Sequence, residues 1–258
     1  MLCGKIRVSD ITPVLIMGVT VRIDKYISES GVASRREAAR VARSGGVTVD
    51  GVAVRDLSAH IDPERARVTY LGREISYRKY TYVMLNKPEG YVSATEDSRL
   101  PVVTELLSEE LKRLDLFPVG RLDRDTLGLM ILTNNGALAH ELLSPRHHVK
   151  KVYRFTAAEP LAEGAEELFD KGVTLADGYE CKSAHLTLDA DRRRGEIVLT
   201  EGKYHQIKRM IASTGNRVTS LERISFGGIA LDASLARGEW RLLTEDEIYT
   251  LEHANDKE

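Results

Sequence analysis

The chain has 258 residues but only two cysteines, Cys3 and Cys181, far apart and in no CxxC pair. That scarcity argues against a disulfide framework and against a zinc site built on thiolates, and it fits a reducing cytosol. Long apolar runs are missing as well. The longest near the start, "ITPVLIMGV" at 11–19, is too short to span a bilayer and contains Pro13. No small-residue cleavage site follows it, which makes it a poor secretory signal. Residues 1–20 read as a flexible tail, or as an over-long start with Met17 as the true initiator. The phosphate-binding signatures GxxxxGKS/T and GxGxxG are absent, as are HExxH and GxSxG. His147 and His148 are adjacent and cannot share one face of a helix or strand, so no metal site is expected. There is no internal repeat and no low-complexity tract.

What remains is an ordinary globular composition, 42% hydrophobic and 29% charged. The net charge of −2 hides an asymmetry. Residues 22–79 carry a net +4, and residues 80–258 carry a net −7. A basic head on an acidic body suggests a head that meets a polyanion.

Within that head, "RIDKYISESG" repeats Ile23, Tyr26 and Ile27 at helical spacing, and Gly31 closes the segment. "SRREAARVARSGG" follows. Ser34 and Glu37 form a capping-box pattern, and Gly45 and Gly46 end the helix. At about 100° per residue, Arg36, Arg40 and Arg43 share one side, while Ala38, Val41 and Ala42 share the other. "VTVDGVAV" then alternates around Asp50-Gly51, a two-residue hairpin turn. The arginine row is of the kind that holds phosphates. Residues 76–80, "SYRKY", read as a polar linker.

The body mixes strand-like runs ("YVMLNK", "YVSA", "LMILT", "YRFTAA", "EIVLTEG") with helix-like ones ("ALAHELL", "AEELFDKG", "YHQIKRMIASTG"). The irregular alternation predicts an α+β domain with a mixed or antiparallel sheet. In "FPVGRLDRDTLGLMILTNNG", Arg121, Asp123, Arg124 and Asp125 crowd the turn before an apolar strand. Much later, Lys208 and Arg209 share a helix with Ile207, Met210 and Ile211. A basic residue on a partly buried helix needs a carboxylate partner. A paired aspartate that stays ionised could serve as nucleophile or base. His205 and Gln206 read as caps or surface groups with no catalytic role, and Arg146, His147 and Lys150 as candidates to line an RNA path.

Two resemblances cover nearly the whole chain. Residues 22–75 resemble the RNA-binding domain named after ribosomal small-subunit protein S4, which implies binding to structured RNA through Arg22, Lys25, Arg35, Arg36, Arg40 and Arg43. "GRLDRDTLGL" resembles the catalytic motif of the pseudouridine synthases, and "SPRHHVKKVYRF", "GKYHQIKRM", "MLNKPEGYVS" and "RISFGGIALD" resemble their other blocks, in the order of the RsuA-type branch. The resemblance implies domains at 21–75 and 80–250 with a tail at 251–258. It also implies a mixed, mainly antiparallel sheet flanked by helices. By the same resemblance Asp123 is the catalytic aspartate, Tyr153 packs on the target base, Lys208 pairs with the aspartate, and Arg121 holds the flipped-out nucleotide.

The implied reaction converts uridine to pseudouridine without cofactor or metal, in the cytoplasm. Lys208, where large-subunit members usually carry Arg, points to small-subunit (16S) rRNA or an assembling small subunit, at the uridine at position 516 in standard numbering. The rivals are a large-subunit (23S) enzyme, a catalytically silent assembly factor, and a glycosidase-like enzyme with Asp125 as second carboxylate. A monomer is expected, since no heptad or apolar patch is legible.

Overall fold

The computed structural model describes residues 20–254. The chain divides into two units, one ending at Arg78 and the other beginning at Lys79. The expectation about residues 1–20 falls, but for residue 20, outside the described residues.

The first unit runs β1 (Val21–Arg22), α1 (Ile23–Glu29), α2 (Arg35–Arg43), β2 (Val47–Val49), β3 (Val52–Ala53), β4 (His60–Ile61), β5 (Val68–Tyr70) and β6 (Arg73–Ile75). Ile23, Tyr26 and Ile27 are the buried face of α1. Helix α2 starts where the capping box predicts. The Ser34 side chain accepts from the Glu37 N–H, and the Glu37 carboxylate accepts from the Ser34 N–H. Such a cap stabilises by about 1 kcal/mol. Ala38 and Ala42 are fully buried, while Arg35, Arg36, Arg40 and Arg43 are exposed. Strands β3-β2-β5-β6 form an antiparallel sheet, and Asp50 and Gly51 both adopt positive φ in the β2–β3 turn. That backbone matches the twist of a two-residue hairpin.

The supposed linker at 76–80 is partly structural. Tyr77 stacks on Tyr26 with ring centroids 5.2 Å apart, and its hydroxyl donates to Glu29. A ring placed over a buried ring gains packing that a solvated linker residue forgoes.

The second unit runs β7 (Tyr82–Lys87), a 3-10 turn (Val103–Leu106), α3 (Glu109–Lys112), β8 (Phe117–Pro118), β9 (Leu127–Thr133) and α4 (Gly136–Leu143), then β10 (Lys151–Ala157), α5 (Ala165–Lys171), β11 (His185–Leu188), β12 (Arg194–Leu199), α6 (Gln206–Ser213), β13 (Val218–Phe226), β14 (Ile229–Ala230), β15 (Trp240–Leu242) and α7 (Glu245–Glu252). The main sheet has the order β11-β12-β10-β13-β9-β7-β15, with β14 on β13 and β8 on β9. Every pairing is antiparallel except that of β9 with β13.

Residues Tyr82–Lys87 and Gly128–Thr133 are buried throughout. Their side chains alternate between two cores. Tyr82, Met84, Leu129 and Ile131 join Leu138, Leu142 and Phe226 on one side; Val83, Leu85, Met130 and Leu132 join Val103, Leu111 and Leu122 on the other. Burial on both faces is why these strands read as continuous apolar runs. A third core, with Phe155, Phe169, Ile197, Met210 and Ile211, lies under α5 and α6.

The parallel β9–β13 pairing rests on two register pairs, Glu222 with Leu127 and Arg223 with Gly128. Gly128 has φ +95°, and a Cβ there would lie 2.3 Å from the Arg223 carbonyl oxygen. Only glycine allows so close a backbone approach.

One predicted element does not form. "YVSA" makes an isolated bridge, Val92 with Val102, rather than a second strand beside β7. Its hydrogen bonds are used elsewhere: Gly90 donates to Arg124, and Ser93 clasps Leu122.

Candidate active site

The turn that carries Asp123 leads into β9. The Thr126 N–H donates to the Asp123 carbonyl at 3.1 Å, so Asp123 takes the first position of a turn, a place that suits aspartate. Fully buried Lys87 sits beneath. Its Nζ donates to the carbonyls of Pro88, Asp123, Arg124 and Thr126 at 3.1, 3.1, 3.2 and 2.9 Å. On the other side, the Ser93 hydroxyl donates to the Leu122 carbonyl at 2.8 Å and accepts from the Leu122 N–H at 3.0 Å. The segment after β7 thus fastens the backbone on both sides of Asp123. Burial pulls the Lys87 pKa down to about 8, against the raising effect of Asp125 and Asp123.

Helix α6 buries Ile207, Met210 and Ile211 and turns Lys208 toward that turn. Lys208 Nζ donates to Asp123 Oδ2 at 2.8 Å and to Asp125 Oδ1 at 2.5 Å. The Asp123 and Lys208 side chains are 25% and 23% exposed, shielded enough for the pair to hold its geometry. Partial burial works against the Lys208 ammonium, but its bonds to the two aspartates outweigh that and raise its pKa. For Asp125, partial burial works to raise the pKa, and the bond and charge of Lys208 overcome it and lower it. Asp125 therefore enters the site as a second partner of Lys208, a link that spacing alone did not supply.

The entry to α6 is fastened by Glu201. Its carboxylate accepts from the Lys182 N–H, the Gln206 amide and the Tyr179 hydroxyl, while Gln206 Oε1 accepts from the Lys203 N–H. Of the two expectations for Gln206, cap or surface group, the second fails: Gln206 is buried, and its side chain bonds at the helix entry. His205, just before the helix, adopts φ 49°, ψ 33°, and its Nε2 lies 3.5 Å from Asp123 Oδ1. Sequence reasoning missed Lys87, a lysine inside an apolar strand, and the nearness of His205 to Asp123.

Arg121, Asp123, Thr126, Tyr153, His205 and Gln206 line one cleft. Tyr153 lies on β10 at a bulge against β13, where the register shifts between Val152 and Tyr153. A bulge re-aims a side chain, and the half-buried Tyr153 packs against the cores on both sides. The Thr126 hydroxyl, buried at the cleft floor, finds no hydrogen-bond partner among the described residues. A wider hollow of about 600 Å³ lies elsewhere and carries Glu96, Asp97, Glu105 and Asp115 against a single Lys112. Its charge suits a polyanion poorly.

Of the six head residues singled out for RNA, two are internally paired: Arg22 with Asp24 at 2.9 Å and Lys25 with Glu29 at 3.6 Å. The side chains of Arg36, Arg40 and Arg43 make no hydrogen bond or ion pair among the described residues. Arg121 is exposed at the rim of the cleft, and Arg146, His147 and Lys150 are exposed after α4. Among the described residues, no group of three His, Cys, Asp or Glu side chains could hold a metal ion, and no helix is long and apolar enough to cross a membrane.

Residues 81–213 match the family described as RNA pseudouridylate synthase, and residues 21–65 match the S4 domain. An uncharacterized RNA pseudouridine synthase, YtzG of Bacillus subtilis (strain 168), is 42% identical over 90% of this chain and 98% of its own length. Ribosomal small subunit pseudouridine synthase A of Escherichia coli (strain K12) is 41% identical over 88% of this chain and 98% of its own. A crystal structure of a pseudouridylate synthase, 35% identical, superposes with a TM-score of 0.63 and covers 90% of this chain and 99% of that one.

Proposed function

The chain belongs to the RNA pseudouridylate synthase family and carries an S4 domain, and from that premise we propose that it isomerises one uridine of small-subunit rRNA, with Asp123 as the catalytic group. The observation that carries this reading is the 2.8 Å bond from Lys208 to Asp123, made across 85 residues of sequence in a cleft that Tyr153 also lines. The pairing holds Oδ2 and leaves Oδ1 toward His205.

Pseudouridine forms when the bond from uracil N1 to the ribose anomeric carbon breaks, the base turns, and uracil C5 takes its place. The proton on C5 then leaves, and N1, freed from the sugar, takes one up, so that the product is an isomer of the substrate. A target in folded RNA must first be taken out of its stack. Tyr153 offers a flat ring to hold the freed base, and Arg121 a free guanidinium at the rim for a phosphate. The Asp123 carboxylate acts at the sugar, either on the anomeric carbon or on the neighbouring ribose proton. The sequence resemblance favours the uridine at position 516. Support for the small subunit comes from Lys208 and from the Escherichia coli relative. The reading includes a cytoplasmic monomer that needs no cofactor.

The test is tritium release from rRNA labelled at uracil C5, offered as partly assembled small-subunit and large-subunit particles. About one equivalent from the small-subunit particle alone is expected. Release from the large-subunit particle alone would overturn the substrate and leave the chemistry standing. Binding without release from either would favour an assembly factor.

A further inference from the structure

Tyr204 is the most exposed large hydrophobic side chain among the described residues, at 74%. It lies one residue from the cleft. Its ring stacks on His205 with centroids 3.8 Å apart and planes at 18°. Neighbouring residues in a regular helix do not face one another. Here the left-handed backbone at His205 folds the two rings together, in a turn closed by the Gln206 N–H donating to the Lys203 carbonyl. A non-glycine residue at positive φ is strained, and such strain persists where the surroundings enforce it. They do so here: Gln206, tied to Glu201 and Lys203, fixes the following residue, and His205 Nε2 lies against Asp123.

The result is a layered arrangement. Asp123 touches the edge of His205, His205 carries Tyr204, and the outer face of Tyr204 is open to solvent. Exposed Lys203 precedes it, with its Nζ 4.8 Å from the centroid of the Tyr179 ring. An open aromatic face is what unpaired nucleobases stack on. Tyr153 is already engaged by the cores on both sides and serves the cleft itself.

We propose that the Tyr204–His205 ring pair is a second stacking platform, which receives an unpaired nucleobase next to the target nucleotide and so helps to hold the strand open beside the cleft. This rests on the reading that the cleft acts on a uridine in RNA. It separates two tasks: Tyr153 meets the reacting base, and Tyr204 meets its neighbour.

The experiment uses the full chain and small-subunit rRNA particles, with 2-aminopurine ligated immediately before or after the target uridine. In wild type and Tyr204→Phe, binding quenches the fluorescence at one of the two positions. In Tyr204→Ala that quenching is lost. In single-turnover kinetics, the half-saturating concentration for Tyr204→Ala rises about 10- to 100-fold, the scale of one lost base stack, while the maximal rate stays within about twofold. Equal quenching in Tyr204→Ala, no quenching at either position in wild type, or a loss confined to the maximal rate overturns the proposal. So does a Tyr204→Phe defect as large as that of alanine, which would make the hydroxyl the active group. A wild type that quenches yet releases no tritium would defeat the functional reading and leave the platform standing.

Discussion

Helix α2 and the Asp123 turn both concentrate charge, but they dispose of it in opposite ways. On α2, Arg36, Arg40 and Arg43 project from a helix whose other face is alanine, and they meet no acid among the described residues. At the turn, Asp123 and Asp125 share Lys208, and Lys87 is enclosed by carbonyls. Unpaired surface charge is free to release counterions from a polyanion, and it gains little from the fold. Enclosed charge is pre-organised for a reaction, at a desolvation cost that the surrounding structure must offset. The difference predicts that substitutions on α2 change binding, and that substitutions at the turn change the maximal rate.

The largest effect is expected at Asp123. Asp123→Asn keeps the shape and hydrogen-bonding reach of the side chain and removes its charge and basicity. Tritium release should fall by about 10³-fold or more, with RNA affinity within a few-fold of wild type. Appreciable residual turnover would sink the assignment.

Next comes the arginine row. Replacing Arg36, Arg40 and Arg43 together by alanine should weaken RNA binding roughly 10- to 100-fold near physiological salt. It should also flatten the plot of log affinity against log salt by about two to three units. The maximal single-turnover rate should hold. An unchanged salt slope would remove these residues from the RNA path.

Lys87 sharpens the comparison through pH. Its pKa lies at about 8 in the folded chain, against an ordinary 10.5. Between those values the unfolded chain holds more protons than the folded one, so Lys87 makes stability rise with pH across that window. Turnover should move the other way. A neutral amine donates two hydrogens rather than three, and the carbonyls of the Asp123 turn lose a partner. The expected profile is a fall in maximal rate on the alkaline side of about pH 8 while the melting temperature holds or rises. Lys87→Met should lose stability by about 2–4 kcal/mol and show no such alkaline fall.

The smallest effect concerns Thr126. Its buried hydroxyl lacks a partner among the described residues, so Thr126→Val, which preserves shape, should change stability by less than about 1 kcal/mol or raise it, by thermal unfolding. A loss above about 2 kcal/mol would reveal a hydrogen bond to that hydroxyl.

Much of the first unit was legible because its signals are local. The Ser34–Glu37 box, the Asp50-Gly51 turn and the alanine face of α2 each depend on residues within a few positions of one another. In the second unit β7, β9, β10 and β12 were legible, but the nine-residue β13 was not among the runs read as strands, and the neighbours of each strand were not legible. Nothing local announces that β9 pairs in parallel with β13, or that a lysine in β7 supports a turn 36 residues later. The Lys208–Asp123 pair could be anticipated because a basic residue on a half-buried helix requires a carboxylate. His205 was read as a cap or surface group, and it does take the N-cap position of α6; its nearness to Asp123 was not legible because it depends on a left-handed backbone that the residue type does not demand. Gln206 was read as a cap or surface group because its partner Glu201 has no helical or strand spacing to it.

Gly128 has one more consequence. The main sheet is two blocks, β11-β12-β10-β13 and β9-β7-β15, joined by a single two-pair seam. A side chain at 128 would have to push those blocks apart, since the nearest atom it meets is the backbone carbonyl oxygen of Arg223, with the Glu222 side chain beside it. In a library saturated at this position and selected for folded protein, glycine alone should survive. Substitutions spread over either block should be accepted far more freely. At this seam, tolerance to mutation is therefore set by the absence of one methyl group where the blocks meet.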